Sequence, residues 1–257
     1  MVAVSTLTVL ATGCADKPGE DRPGITILNG VDGNVSVSAV DPPPTPAPTI
    51  GPPQIYFLET DVQPQANIAL DVRDMLAIVA PAAGGGAVDW AAVAAIYENG
   101  RYSKTVASAL RSLSGMAMAT HPSAHAAIDA ALKGTGASAG ASDIARVEAV
   151  RAGTLAVVRA QVLTELAAAR ARLADGKGSE AVAAVDAAWA FYAGATDETG
   201  GRPFLLLAMS RRGQPQSQLD DSIQKAMAGM QGAAKRGDLA AFDRAHADAL
   251  NGLGEVL

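Results

Sequence analysis

The sequence predicts an all-α protein: an antiparallel helical bundle of about eight or nine helices, preceded by a signal and a proline-rich tether. Three observations predict it. Alanine dominates while aromatics make up only 4% of the chain, a composition that suits closely packed helices better than sheets. Turn signals cut residues 55–257 into segments of helical length joined by short connections. In the longest segment, apolar residues recur on one arc at about 100° per residue.

At 257 residues the chain can bury a sizeable core without staples. Its formal net charge of −6 argues against broad nucleic-acid binding, which needs a basic surface. Cys14 is the single cysteine, so an intrachain disulfide framework and a cysteine-rich zinc site are excluded.

The first fourteen residues read as a bacterial lipoprotein signal. A short apolar run ends in Ala11-Thr12-Gly13, small residues that fit a signal peptidase, and Cys14 supplies the thiol that carries the acyl chains. This places the mature chain in the bacterial cell envelope, extracytoplasmic and held to the membrane by a lipid anchor. Residues 15–54 read as the tether. Nine of the 14 prolines precede residue 55, many within Pro42–Pro48, and such a run favours extended geometry. Within it, two alternating segments around Asn29-Gly30 and Asp32-Gly33 predict a small hairpin over 25–39.

From residue 55 the chain is one helical domain, 55–257. Gln65–Ala80 follows Pro64 and ends at Pro81. Asp89 starts a helix to Glu98, stopped by Asn99-Gly100. Ser103 begins one that ends near Thr120. Pro122–Leu132 has proline in its first turn and Gly134 beyond its end. Ser142 caps the longest helix, to about Ala174. Ser179–Ala193 stops at Gly194. Pro203–Arg212, Gln218–Arg236 and Asp238–Leu253 complete the set.

Charge intrudes on the predicted core face of helix 142–174. Glu148, Arg151 and Glu165 fall in the same arc as Ile144, Val147, Leu155, Val158, Val162, Leu166 and Leu173. A buried carboxylate costs several kcal/mol unless paired or metal-bound. Two readings are open at this point. Glu148 pairs with Arg151 one turn away and Glu165 lies at the rim, or the acids form a carboxylate-rich pocket for a hard or borderline cation. Asp186 beside Trp189, Glu98 beside Tyr97, and Asp71 between Ile68 and Met75 add further oxygen donors. His121, His125 and Asp129, at four-residue spacing, are a second candidate metal set against a solvated helix face. No phosphate-binding glycine loop, nucleophile elbow or His-Glu-x-x-His is present, so no enzymatic activity is expected.

Three segments carry a family resemblance: Ala95-Ile96-Tyr97-Glu98-Asn99-Gly100-Arg101-Tyr102-Ser103-Lys104, Arg146–Gly153, and Asp186–Gly194 followed by Leu207–Gly213. Their order and content resemble the low-iron- or high-CO2-inducible periplasmic iron-assimilation proteins of green algae and their bacterial relatives, over about residues 88–250. The resemblance implies a secreted helical protein of iron uptake, with an iron ion as ligand, and leaves open whether a transport partner protein receives the ion. It implies oxygen ligands at Glu98, Glu148, Glu165 and Asp186, with Trp189, Tyr192 and Tyr102 walling the pocket. The chain departs from the pattern at Tyr102, where His is usual, at Thr164, where His precedes Glu, and at Ala187, where Glu follows Asp. The alternative expectation is a structural or partner-binding helical lipoprotein with no ligand.

Overall fold

The computed structural model describes residues 56–104, 112–195 and 217–255. The signal with Cys14, the tether, the hairpin over 25–39 and the helix over 203–212 lie outside the described residues. The compact unit spans residues 51–257. Its described residues are helical, as the composition predicts. The helices are α1 (Gln63–Ala66), α2 (Ile68–Val79), α3 (Trp90–Asn99), α4 (Leu113–Thr120), α5 (Pro122–Lys133), α6 (Asp143–Ala174), α7 (Gly178–Ala193), α8 (Ser217–Arg236) and α9 (Leu239–Glu255). No helix among the described residues is long and apolar enough to cross a membrane.

The caps sit where the sequence signals place them. Asp89 accepts the Ala92 N–H at 3.0 Å, and Ser142 accepts that of Ala145 at 3.3 Å. Each satisfies a donor the first helical turn leaves free. Gly134 ends α5 in the left-handed region, φ 63°, which costs glycine little. The helix expected from Ser103 is corrected: α4 begins at Leu113, with Ser112 as its cap, accepting from Gly115 N. Ser103 stands in a non-helical stretch because its N–H and hydroxyl both donate to Asp71.

Helix α6 is the spine. It packs against α5 near its N-terminus, where Arg146 meets Ala131 and Leu132, and against α9 near its C-terminus, where Arg170 pairs with Asp243, with α4 and α7 as further partners. Because its partners change along its length, no single arc faces the core. Val150, Val157, Val158, Val162, Leu166, Ala169 and Leu173 are buried, while Ile144, expected inside, is 57% exposed. The expected core arc is therefore corrected at its N-terminal end.

Small residues set the interhelix distances. On α7 the stretch from Ala184 to Ala193 is buried throughout, with five alanines among its ten residues. At Gly153 of α6 an added Cβ would stand 2.5 Å from Ile128 Cγ1 of α5, and Ile128 is fully buried. Gly153→Ala gains about 1 kcal/mol of helix propensity but meets an overpacking penalty of about 1–3 kcal/mol. We expect a net loss of stability, read as a lower midpoint in urea unfolding with an unchanged slope.

Arg146 joins α5 to α6. Its Nε donates to the Ala131 carbonyl at 2.7 Å and its Nη2 to that of Leu132 at 2.8 Å, closing the C-terminus of α5. Its guanidinium lies 3.8 Å from the centre of the Trp90 ring, a favourable cation–π contact. The Trp90 indole N–H donates to Asp143 at 3.0 Å. Three helices thus meet at one arginine.

Candidate functional site: two saturated carboxylates

Two aspartates are fully buried, Asp186 on α7 and Asp71 on α2. Neither has a lysine or arginine as counter-ion among the described residues; N–H and O–H groups hold both. Asp186 Oδ1 accepts the Tyr56 hydroxyl at 2.5 Å and Gln231 Nε2 at 2.9 Å. Its Oδ2 accepts the Glu59 N–H, the Thr60 N–H and the Thr60 hydroxyl, each at 2.9 Å. Gln231 of α8 also donates to the Phe57 carbonyl at 2.9 Å. Residues 56–60, immediately after the predicted tether, are therefore wrapped around one carboxylate. Lys235 forms an ion pair with Glu59 at the edge of this knot.

Asp71 is built the same way. Its Oδ1 accepts the Arg101 and Tyr102 N–H groups at 3.0 and 2.7 Å, and its Oδ2 the N–H and hydroxyl of Ser103 at 3.3 and 2.5 Å. Gly100 makes the turn possible by ending α3 at φ 67°. Asn67 Nδ2 donates to the Tyr102 carbonyl at 2.9 Å, and Arg101 pairs with Asp74 at 2.9 Å. The guanidinium groups of Arg73 and Arg101 stand 5.9 and 5.3 Å from the centre of the Tyr102 ring.

A carboxylate offers about four lone-pair directions. Five donors fill those of Asp186 and four fill those of Asp71, which leaves neither with a direction open to a cation. Charge-assisted bonds of this kind are about twice as strong as neutral ones, so the full complement offsets the cost of burying the charge.

The aromatic residues complete the Asp186 knot. Tyr56 and Trp189 rings lie 5.1 Å apart, and Trp189 and Tyr192 rings 5.6 Å apart, spacings typical of favourable tilted pairs. All three are buried. Burial, then the hydrogen bond to Asp186, push the Tyr56 hydroxyl far above its ordinary value. Burial, then the charges of Asp129 and Glu98, do the same for Tyr97. The unfolded chain releases these protons near pH 10 and the folded chain holds them. Their contribution is thus complete below about pH 10 and declines as the pH rises past it. We expect tyrosinate absorbance and loss of helical ellipticity to rise together in alkali; free titration of Tyr56 before unfolding would contradict the arrangement.

The four acids expected to share an ion do not come together. Among the described residues no three His, Cys, Asp or Glu side chains form a group able to hold a metal. Glu98 is exposed at the end of α3. Glu148, 47% exposed, pairs with Arg151 at 3.0 Å, the local pairing that the spacing allowed. Glu165 is half-buried and accepts Gln161 Nε2 at 2.8 Å. Asp186 is enclosed as described. Trp189 and Tyr192 are core around Asp186, whereas Tyr102 belongs to the Asp71 knot. The separation follows from α3, α6 and α7 presenting these acids to different neighbours.

The second metal set is also corrected. His121 Nδ1 caps α5, accepting the Ala124 N–H at 3.3 Å and facing the Ser123 hydroxyl at 3.1 Å. His125 Nδ1 meets the Tyr97 hydroxyl at 2.8 Å, and Asp129 pairs with Lys133 at 2.6 Å. Each of the three has a partner of its own. Sequence reasoning missed Tyr56, Thr60, Ser103 and Gln231; the only local signal was Gln231 standing between Met230 and a run of small residues on an otherwise apolar face.

No protein-family model matches the chain, and neither does any curated protein or solved structure.

Proposed function

We propose that this chain is a lipid-anchored helical domain of the bacterial cell envelope that acts as a non-catalytic scaffold, presenting its surface to a partner protein. The single observation that carries the reading is the saturation of Asp186: the most deeply placed acid of the expected metal set fastens residues 56–60 to α7 and α8. A domain held through its N-terminal tether needs that junction to be firm, and five hydrogen bonds with an aromatic column supply it. The leader pattern ending at Cys14 supports the anchor.

Iron assimilation is the rival reading, and what supports it is the resemblance of the three segments. Two of those segments contain the residues that build the knots, Arg101–Ser103 and Asp186–Tyr192, and a third contains Arg146, so packing duties account for their content. Calorimetric titration of the full chain with ferrous, ferric, zinc and calcium ions separates the readings. The scaffold reading expects no saturable binding. A saturable site that disappears in Glu148→Ala or Glu165→Ala would overturn it in favour of iron. Mass spectrometry of the envelope-derived protein should find acyl chains on Cys14; an unmodified Cys14 would remove the anchor.

A further inference from the structure

A groove of about 370 Å³ runs along α6, lined by Ala152, Leu155, Ala156, Arg159, Ala160 and Leu163 together with His121. Its volume falls within the range of small-molecule sites, which are mainly apolar with a few placed polar groups. The positions on α6 follow the i, i+3, i+4 spacing of one helical face. Alanine at 152, 156 and 160 is what leaves the space open.

Two polar residues, Arg159 and His121, line the groove with these apolar ones. Arg159 makes no hydrogen bond or ion pair among the described residues, and its Nε is buried without a partner. Among the described residues the other orphan of this kind is the Thr154 hydroxyl, which does not line the groove. A partly desolvated guanidinium without a counter-charge is costly, and a carboxylate is the group that matches its fork geometry. His121 adds a second donor. Its Nδ1 accepts the Ala124 N–H, which leaves Nε2 as the ring nitrogen that can donate.

We infer that this groove binds a small aliphatic monocarboxylate, its carboxylate on Arg159 and His121 and its tail along Ala152, Ala156 and Ala160. Arg159 supplies charge and orientation, and the apolar wall supplies the area removed from water. The site is separate from both aspartate knots and does not depend on the scaffold reading.

Calorimetry on the full chain with octanoate tests it. We expect saturable binding at one site. Octanol, which keeps the tail, and acetate, which keeps the charge, should each bind about tenfold more weakly or worse. Arg159→Gln should lose octanoate by about tenfold or more while retaining the wild-type melting temperature. Ala156→Met fills the groove without touching the charge and should also abolish binding, so the test stands even if Arg159→Gln folds poorly. Absence of saturable octanoate binding, equal binding of octanol, or affinity unchanged in Ala156→Met would each overturn the assignment.

Discussion

Asp186→Ala lowers the unfolding free energy by about 3–5 kcal/mol, a loss on the scale of truncating a large buried side chain. The change leaves the Tyr56 hydroxyl, the Glu59 and Thr60 N–H groups and the Thr60 hydroxyl without their acceptor, and Gln231 Nε2 with the Phe57 carbonyl alone. Buried donors stripped of a partner cost about 1–3 kcal/mol each, and partial entry of water into the emptied space keeps the total below their sum. Asp186→Asn is also harmful, because one carboxylate oxygen becomes an NH2 group and faces either Tyr56 and Gln231 or the Thr60 side. The loss is a large share of the roughly 5–15 kcal/mol by which domains are stable. Denaturant unfolding measures it, and limited proteolysis should cut near residues 56–60 before the helices. A loss under about 1 kcal/mol would show that those donors find other acceptors.

Asp71→Ala should cost about 2–4 kcal/mol, with its effect concentrated at residues 100–104. Three backbone N–H groups and one hydroxyl lose their acceptor. The Arg101–Asp74 pair and the Asn67–Tyr102 bond remain, so the segment loosens without separating from α2. Hydrogen exchange at the Arg101 and Tyr102 amides should accelerate more than exchange in α6. Ser103→Ala, which removes a single donor, should cost about 1 kcal/mol. If Ser103→Ala and Asp71→Ala were equally harmful, the carboxylate would not be the centre of the knot.

The helices were legible because their signals are local. Asp89, Ser142, Gly134 and Gly194 act on chain neighbours, and their meaning survives without knowledge of the partner helix. The α6 arc was less legible for the opposite reason. A 32-residue helix that changes partners along its length has no fixed inner face, so Ile144 ends outside and Glu148 at the rim. The buried acids need partners and have them, whereas Glu98 lies exposed at the end of α3. What the sequence did not carry was the kind of partner. Glu148 and Asp129 find cations one turn away, whereas Asp186 is served by Tyr56 and Thr60, more than a hundred residues earlier. Backbone N–H groups, the main donors to Asp71, have no sequence signature, so a buried acid awaiting a loop and one awaiting an ion read alike.

Hydrogen exchange at the Glu59 and Thr60 amides, measured in the full chain with chelator and then with added ferrous ion, tests the claim that donors rather than a cation hold the buried acid. Protection comparable to the amides of α7, unchanged by either addition, is the predicted result. Rapid exchange with chelator that becomes slow only when iron is supplied would contradict it.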